Sequence, residues 1–193
     1  MRGPISLEHG NSMEIYKNLV LFVLATVAAI FLIGLSLASF GLRSPVSALV
    51  VNWLVVCWIA SGSLVIRFSL PSTYYDPRPF ERAGQVYERA GIRLFKKLLR
   101  RGPLRILSPK LRFPKQVTIE ALRDLENEMR KAETIHAVVF LLMLLMAGCT
   151  AARGWPDGVT WILLFNILIN GYPIMLQRYN RIKLQELMRK PSA

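Results

Sequence analysis

Residues 119–148 read IEALRDLENEMRKAETIHAVVFLLMLLMAG, and how this stretch is read decides the fold. No proline interrupts it, and no glycine occurs before Gly148. Its first half alternates Glu120, Arg123, Asp124, Glu126, Glu128, Arg130 and Lys131 with apolar residues, whereas nothing after His136 is ionisable. One helix with a solvated half and a wholly apolar half is expected to begin outside a bilayer and to enter it near Glu133. Thr118 is placed to cap its start, and Glu120 sits favourably near its positive end.

Working outward, three further runs lack charge. Leu19–Leu42 holds 24 residues, about 36 Å of helix at ~1.5 Å per residue, against a hydrocarbon core of roughly 30 Å. Val46–Ile66 and Val159–Leu176 follow the same pattern, and Ala137–Ala152 reaches spanning length by extending back through His136. Four spans are therefore expected, at 19–42, 46–67, 134–152 and 159–177. The first is too long for a signal-peptide core of about 7–15 residues and is read as an uncleaved membrane helix. Gly41–Pro45 and Gly154–Gly158 supply turns.

The chain has 193 residues, 53% of them hydrophobic, and a formal charge of +13. Segment 69–133 carries 15 of the 25 basic residues and tail 178–193 carries five, while the two opposite connections hold Arg43 and Arg153. The positive-inside rule puts both termini and segment 69–133 in the cytoplasm. The expected fold is an all-α integral membrane protein, a single membrane domain over 1–193 with four transmembrane helices. Cys57 and Cys149 fall within apolar runs, so neither a disulfide framework nor a zinc spacing is present, and no metal set is expected.

Within the cytoplasmic segment FERAG (80–84) is echoed by YERAG (87–91). On one helix this places Phe80, Ala83, Tyr87, Ala90, Leu94 and Leu98 along a stripe, with Arg82, Arg89, Arg93, Lys96, Lys97, Arg100 and Arg101 around the rest. A basic amphipathic helix between spans 2 and 3 is expected to lie among anionic headgroups, which leaves no need for a nucleic-acid partner. Gly102 and Pro103 should end it, and Pro109 and Pro114 mark an extended connection.

Ionisable groups at the edge of a span are costly unless paired or facing a polar cavity. Glu133 and His136 are three apart and share a helix face, the spacing of a carboxylate beside an imidazole base. The bland alternative pairs Glu133 with Arg130 or a nearby basic residue while His136 hydrogen-bonds another helix. Asn166, Asn170, Gln177 and Arg181 form a polar stripe, within roughly 60° of one another at ~100° per residue. Amides there serve either as interhelical glue or as a site wall. Pro173 should kink this helix and free a carbonyl near Ile169 or Asn170. Asp76 and Glu81, unusual beside an anionic leaflet, are expected to pair with Arg78, Arg82 or Arg178. Tyr74 and Tyr75 read as interfacial belt residues. No nucleophile elbow, His-x4-Asp acyltransferase signature, histidine-rich di-iron set or phosphate-binding glycine loop occurs.

The strings RPFERAGQVYERAGIRLFKKLLRRG, KAETIH and NGYPIMLQRYNRIKL resemble glycosyl-4,4'-diaponeurosporenoate acyltransferases, small membrane proteins of bacterial carotenoid pathways. The shared pattern comprises Phe80-Glu81, Gly84, Tyr87, Lys96 or Lys97, Ala132-Glu133, His136, and Pro173 through Asn180-Arg181 with Leu184. It covers roughly Pro71 to Arg189. Two departures stand out: members begin with one hydrophobic segment, whereas this chain adds Leu19–Leu42, and Lys183 stands where Arg is usual.

The resemblance implies a multi-pass protein of a bacterial cell membrane that esterifies the sugar hydroxyl of a glycosylated carotenoid, or a related glycolipid, with a fatty acyl group. Acyl-CoA or an acyl carrier is the implied donor, with no resident cofactor. On this reading His136 is the general base and Glu133 orients it. Glu81, Asn170, Gln177, Arg178, Tyr179, Asn180 and Arg181 are the implied substrate contacts, the arginines meeting donor phosphates. The competing reading is a non-catalytic membrane scaffold that binds anionic lipid and a partner.

Overall fold

The structure, a computed structural model, describes residues 5–66, 68–81, 84–101 and 118–189. All regular elements among them are helical: α1 (Ile5–Phe40), α2 (Pro45–Gly62), α3 (Ser72–Tyr75), a 3-10 turn (Pro79–Glu81), α4 (Gln85–Arg89), α5 (Ile92–Arg101), α6 (Ile119–Ala152), α7 (Pro156–Asn166), a π turn (Ile167–Gly171) and α8 (Tyr172–Arg189). Four stretches are long and apolar enough to cross a membrane: Met13–Phe40, Pro45–Gly62, Ile119–Ala152 and Pro156–Met188. The expected all-α membrane architecture is present.

The chain divides into two compact units. Residues 1–68 and 138–169 make the first, and 69–137 with 170–193 the second. The first unit is the apolar one. Ala48, Val51, Val139, Met143, Ala147 and Ile162 form its core, while Leu24, Val27, Ile30 and Phe31 of α1 face outward, as helices solvated by lipid do. Small and polar residues let helices approach closely, as is usual within membranes. The Ser47 hydroxyl donates to the Ser36 carbonyl at 3.1 Å. The Asn166 amide donates to the Phe140 carbonyl at 3.0 Å, the interhelical-glue role. A Cβ on Gly158 would meet Thr150 Cγ2 at 2.9 Å.

Helix ends follow local chemistry. Ser44 caps α2 by accepting from the Val46 amide at 3.2 Å, with Pro45 in its first turn. The second span was expected to reach residue 67, but α2 stops at Gly62. There the Ser61 and Ser63 hydroxyls bond back to the Trp58 and Ala60 carbonyls, both at 2.7 Å. Arg67 lies outside the described residues. The expected Thr118 cap is present, its hydroxyl accepting from the Ala121 amide at 3.2 Å. α6 then runs unbroken to Ala152. Where Pro173 withdraws its N–H from the ladder, the helix widens into the π turn just before it.

The second unit holds the polar machinery and corrects one expectation. FERAG and YERAG do not lie on a single helix. Gly84 and Gly91 adopt φ of +69° and +83°, the left-handed region, so the segment folds as the 3-10 turn, α4 and α5 in succession. Tyr87 turns inward instead of joining an outer stripe, and only α5 forms the basic amphipathic helix. Arg82 and Ala83, the Arg100 and Arg101 side chains, the Gly102–Pro103 stop and the Pro109–Pro114 connection lie outside what is described. Two small cores hold the unit together: Tyr87, Ile92 and Ile182 with Phe95, Leu176 and Tyr179, and Leu122, Leu125, Met129 and Leu184.

Gly84 is constrained twice, because a Cβ there would also meet the Tyr179 ring at 3.0 Å. Gly84→Ala should therefore cost about 1–2 kcal/mol from the backbone alone, read as lower resistance to thermal denaturation in micelles. Wild-type stability in that variant would remove the constraint.

Candidate functional site

All nine residues singled out above fall in the second unit, and the structure sorts them into three groups. The first is a buried network of four charges. Arg178 Nη2 donates to Glu81 Oε2 at 2.9 Å and Nε to Glu81 Oε1 at 3.1 Å, a two-pronged clamp. Its Nη1 reaches Glu133 Oε1 at 3.1 Å and the Tyr74 carbonyl at 3.0 Å. Arg181 Nη1 takes the other Glu133 oxygen at 2.5 Å, and Nη2 the Tyr75 carbonyl at 2.8 Å. Two guanidinium groups thus face two carboxylates in a neutral set. Glu133 is fully buried and Arg181 is 1% exposed.

The arginines are therefore engaged with the protein's own carboxylates and carbonyls. Both were expected as phosphate contacts, a role in which a guanidinium this far neutralised and enclosed offers little to a soluble anion. Of the partners anticipated for Glu81, Arg178 takes the side-chain contact, while the Arg78 backbone amide donates to it at 2.8 Å.

Three tyrosines complete this network, a part that their positions in the sequence do not announce. The Tyr87 hydroxyl donates to Glu81 Oε1 at 2.6 Å. The rings of Tyr74 and Tyr75 lie against Arg178 and Arg181, 5.3 and 5.2 Å from ring centroid to guanidinium. Tyr75 and Thr134 join through their hydroxyls. The available signal was the tyrosine pair six and seven residues before Glu81, which a belt reading absorbs.

Burial alone would raise the Glu81 carboxyl, but hydrogen bonds from Arg178, Tyr87 and the Arg78 amide outweigh it and hold the group below the usual carboxylate range. Burial and the Glu81 acceptor push the Tyr87 phenol up, so it remains a neutral donor. A folded-state pKa below the unfolded one gives stability that is present above the unfolded value, about 4.3 for Glu. That stability is lost as pH falls through the folded value. Resistance to denaturation should decline as pH drops below about 4.3, and Glu81→Gln should flatten this decline. The same slope in both proteins would contradict the assignment.

The second group is His136 with Asn170. Glu133 gives both oxygens to the arginines, and His136 Nδ1 instead meets Asn170 Oδ1 at 3.2 Å. The expected Glu133 orientation of the imidazole is corrected accordingly: two cations on α8 outcompete a neutral ring three residues away. With the Asn170 amide oxygen toward the ring, the neutral tautomer that fits this contact carries its proton on Nδ1 and its lone pair on Nε2. α6 is thus joined to the π turn, 136 with 170, and to α8, 133 with 178 and 181. In sequence Gln177 falls between these contacts. It is buried, and its Oε1 has no hydrogen-bond partner among the described residues.

The third group lies toward α4 and α5. Tyr179 donates to Glu88 at 2.8 Å, and Asn180 accepts from Lys96 at 3.0 Å. Both side chains, expected as substrate contacts, tie the short helices to α8. Among the described residues no three His, Cys, Asp or Glu side chains gather as a metal site.

Comparison with curated proteins and with solved structures found no match. The family model of glycosyl-4,4'-diaponeurosporenoate acyltransferase matches residues 71–190, more than half of the chain. That span contains the charge network, the His136–Asn170 pair and α5, and excludes α1 and α2. The chain belongs to the glycosyl-4,4'-diaponeurosporenoate acyltransferase family.

Proposed function

We propose that this membrane protein transfers a fatty acyl group from a thioester, acyl-CoA or an acyl carrier, to the sugar hydroxyl of a glycosylated carotenoid. The observation that carries the reading is the His136–Asn170 contact, because it leaves Nε2 as an acceptor beside a polar seam. His136 takes the proton of the sugar hydroxyl as its oxygen attacks the thioester carbonyl. The carbon–sulfur bond breaks, and the imidazolium returns the proton to the departing thiolate. Asn170 holds the ring and its tautomer.

Gln177 Oε1 has hydrogen-bonding capacity left unused among the described residues, which suits a sugar hydroxyl better than a developing oxyanion, since an amide oxygen cannot donate. Glu81, Glu133, Arg178 and Arg181 act as positioning residues that fix α6 against α8. The concentration of basic residues in 69–133 and 178–193 supports cytoplasmic placement of this chemistry and of both termini. That is where a water-soluble thioester meets a lipid-borne sugar.

The test is extraction of pigments and glycolipids from a host with and without the gene. A mass increment of one acyl group on a glycosylated carotenoid, present only with the gene, supports the proposal. The same increment on another glycolipid corrects the acceptor, and its absence from every glycolipid favours the scaffold reading.

A further inference from the structure

Helix α5 has two apolar faces with different fates. Ile92 and Phe95 pack onto Tyr172, Leu176, Tyr179 and Ile182 of α8, and Lys96 on that side bonds Asn180. Leu94 and Leu98 stand four residues apart on the other side, 64% and 42% exposed. Next to them Arg93 and Lys97 are also exposed, as is Arg89 one break earlier. Phe80, 67% exposed, adds apolar surface on the same segment.

Exposed apolar groups rimmed by cations mark an interaction surface, and the charge selects a negative partner. The segment is joined in sequence to membrane helices at both ends, α2 and α6. Lipid is therefore present at high effective concentration, whereas an acidic protein would have to be recruited. We propose that Leu94 and Leu98 insert into an anionic phospholipid leaflet while Arg89 and Lys97 engage its phosphates, Arg93 being paired with Glu88 at 2.7 Å. This surface is independent of the transfer reaction. It is narrower than a wholly amphipathic segment 80–101 would make, because Tyr87 and the Ile92–Phe95 face are spent inside the protein.

The experiment uses the full chain in nanodiscs, with Cys57→Ser and Cys149→Ser removing the free thiols. Nitroxide labels are placed at Leu94→Cys or Leu98→Cys, with Asn127→Cys on the exposed side of α6 as the aqueous reference. In phosphatidylcholine mixed with phosphatidylglycerol, labels at 94 and 98 should favour oxygen over an aqueous nickel chelate. They should report a depth of about 5–10 Å below the headgroup boundary. In phosphatidylcholine alone they should become shallower. Labels as water-accessible as that at 127, or a depth indifferent to phosphatidylglycerol, would overturn the proposal.

Discussion

Glu133→Gln should be the most destabilising single change in the second unit, at about 3–5 kcal/mol, the cost of breaking a buried ion pair from one side. Glu133 balances Arg178 at 3.1 Å and Arg181 at 2.5 Å, and an amide leaves only Glu81 against two enclosed guanidinium groups. A reversed amide would also direct N–H groups at an arginine. The cause is charge imbalance, so a second change can relieve it. Arg181→Met in the Glu133→Gln background removes one cation, fills the space, and should recover part of the loss. Denaturation in micelles of the two single variants and the double gives the coupling. A double variant that loses the sum of the two single losses would show that the charges are not coupled.

His136→Gln should lower kcat by about 10²–10⁴-fold, the usual contribution of a general base, with little change in the KM of either substrate. The side chain of glutamine keeps hydrogen-bonding capacity toward Asn170 Oδ1, so the fold of the α6–α8 seam should survive, read as unchanged denaturation. Asn170→Leu should also act on kcat, less severely, because it frees the ring without removing it. A His136→Gln protein with near wild-type kcat would take His136 out of the base role. A rise in KM alone would make it a binding residue.

The spans were legible because lipid imposes a length and a composition that few other environments demand. The continuous α6 could be read from the absence of a breaker between Ile119 and Gly148. Pro173 announced a disturbance, and the π turn is the form it takes. The seven-residue echo FERAG…YERAG misled because its spacing suits a helix, while its glycines do not: both occupy left-handed turns. Spacing also put Glu133 and His136 on one face correctly, yet proximity along a helix does not select a partner. The selection was made by Arg178 and Arg181, 45 and 48 residues away. Glu81 finds Arg178 across 97 residues, a pairing the residue types allowed but no local pattern could rank above Arg82.

The most direct measurement supplies purified chain, reconstituted in nanodiscs, with a labelled acyl thioester and a glycosylated carotenoid, and follows the carotenoid by mass. The account predicts one added acyl group on the sugar, release of one thiol per ester formed, and loss of both with His136→Gln in a folded protein. Equal ester formation by wild type and His136→Gln, or thiol release without an acylated sugar, would contradict it.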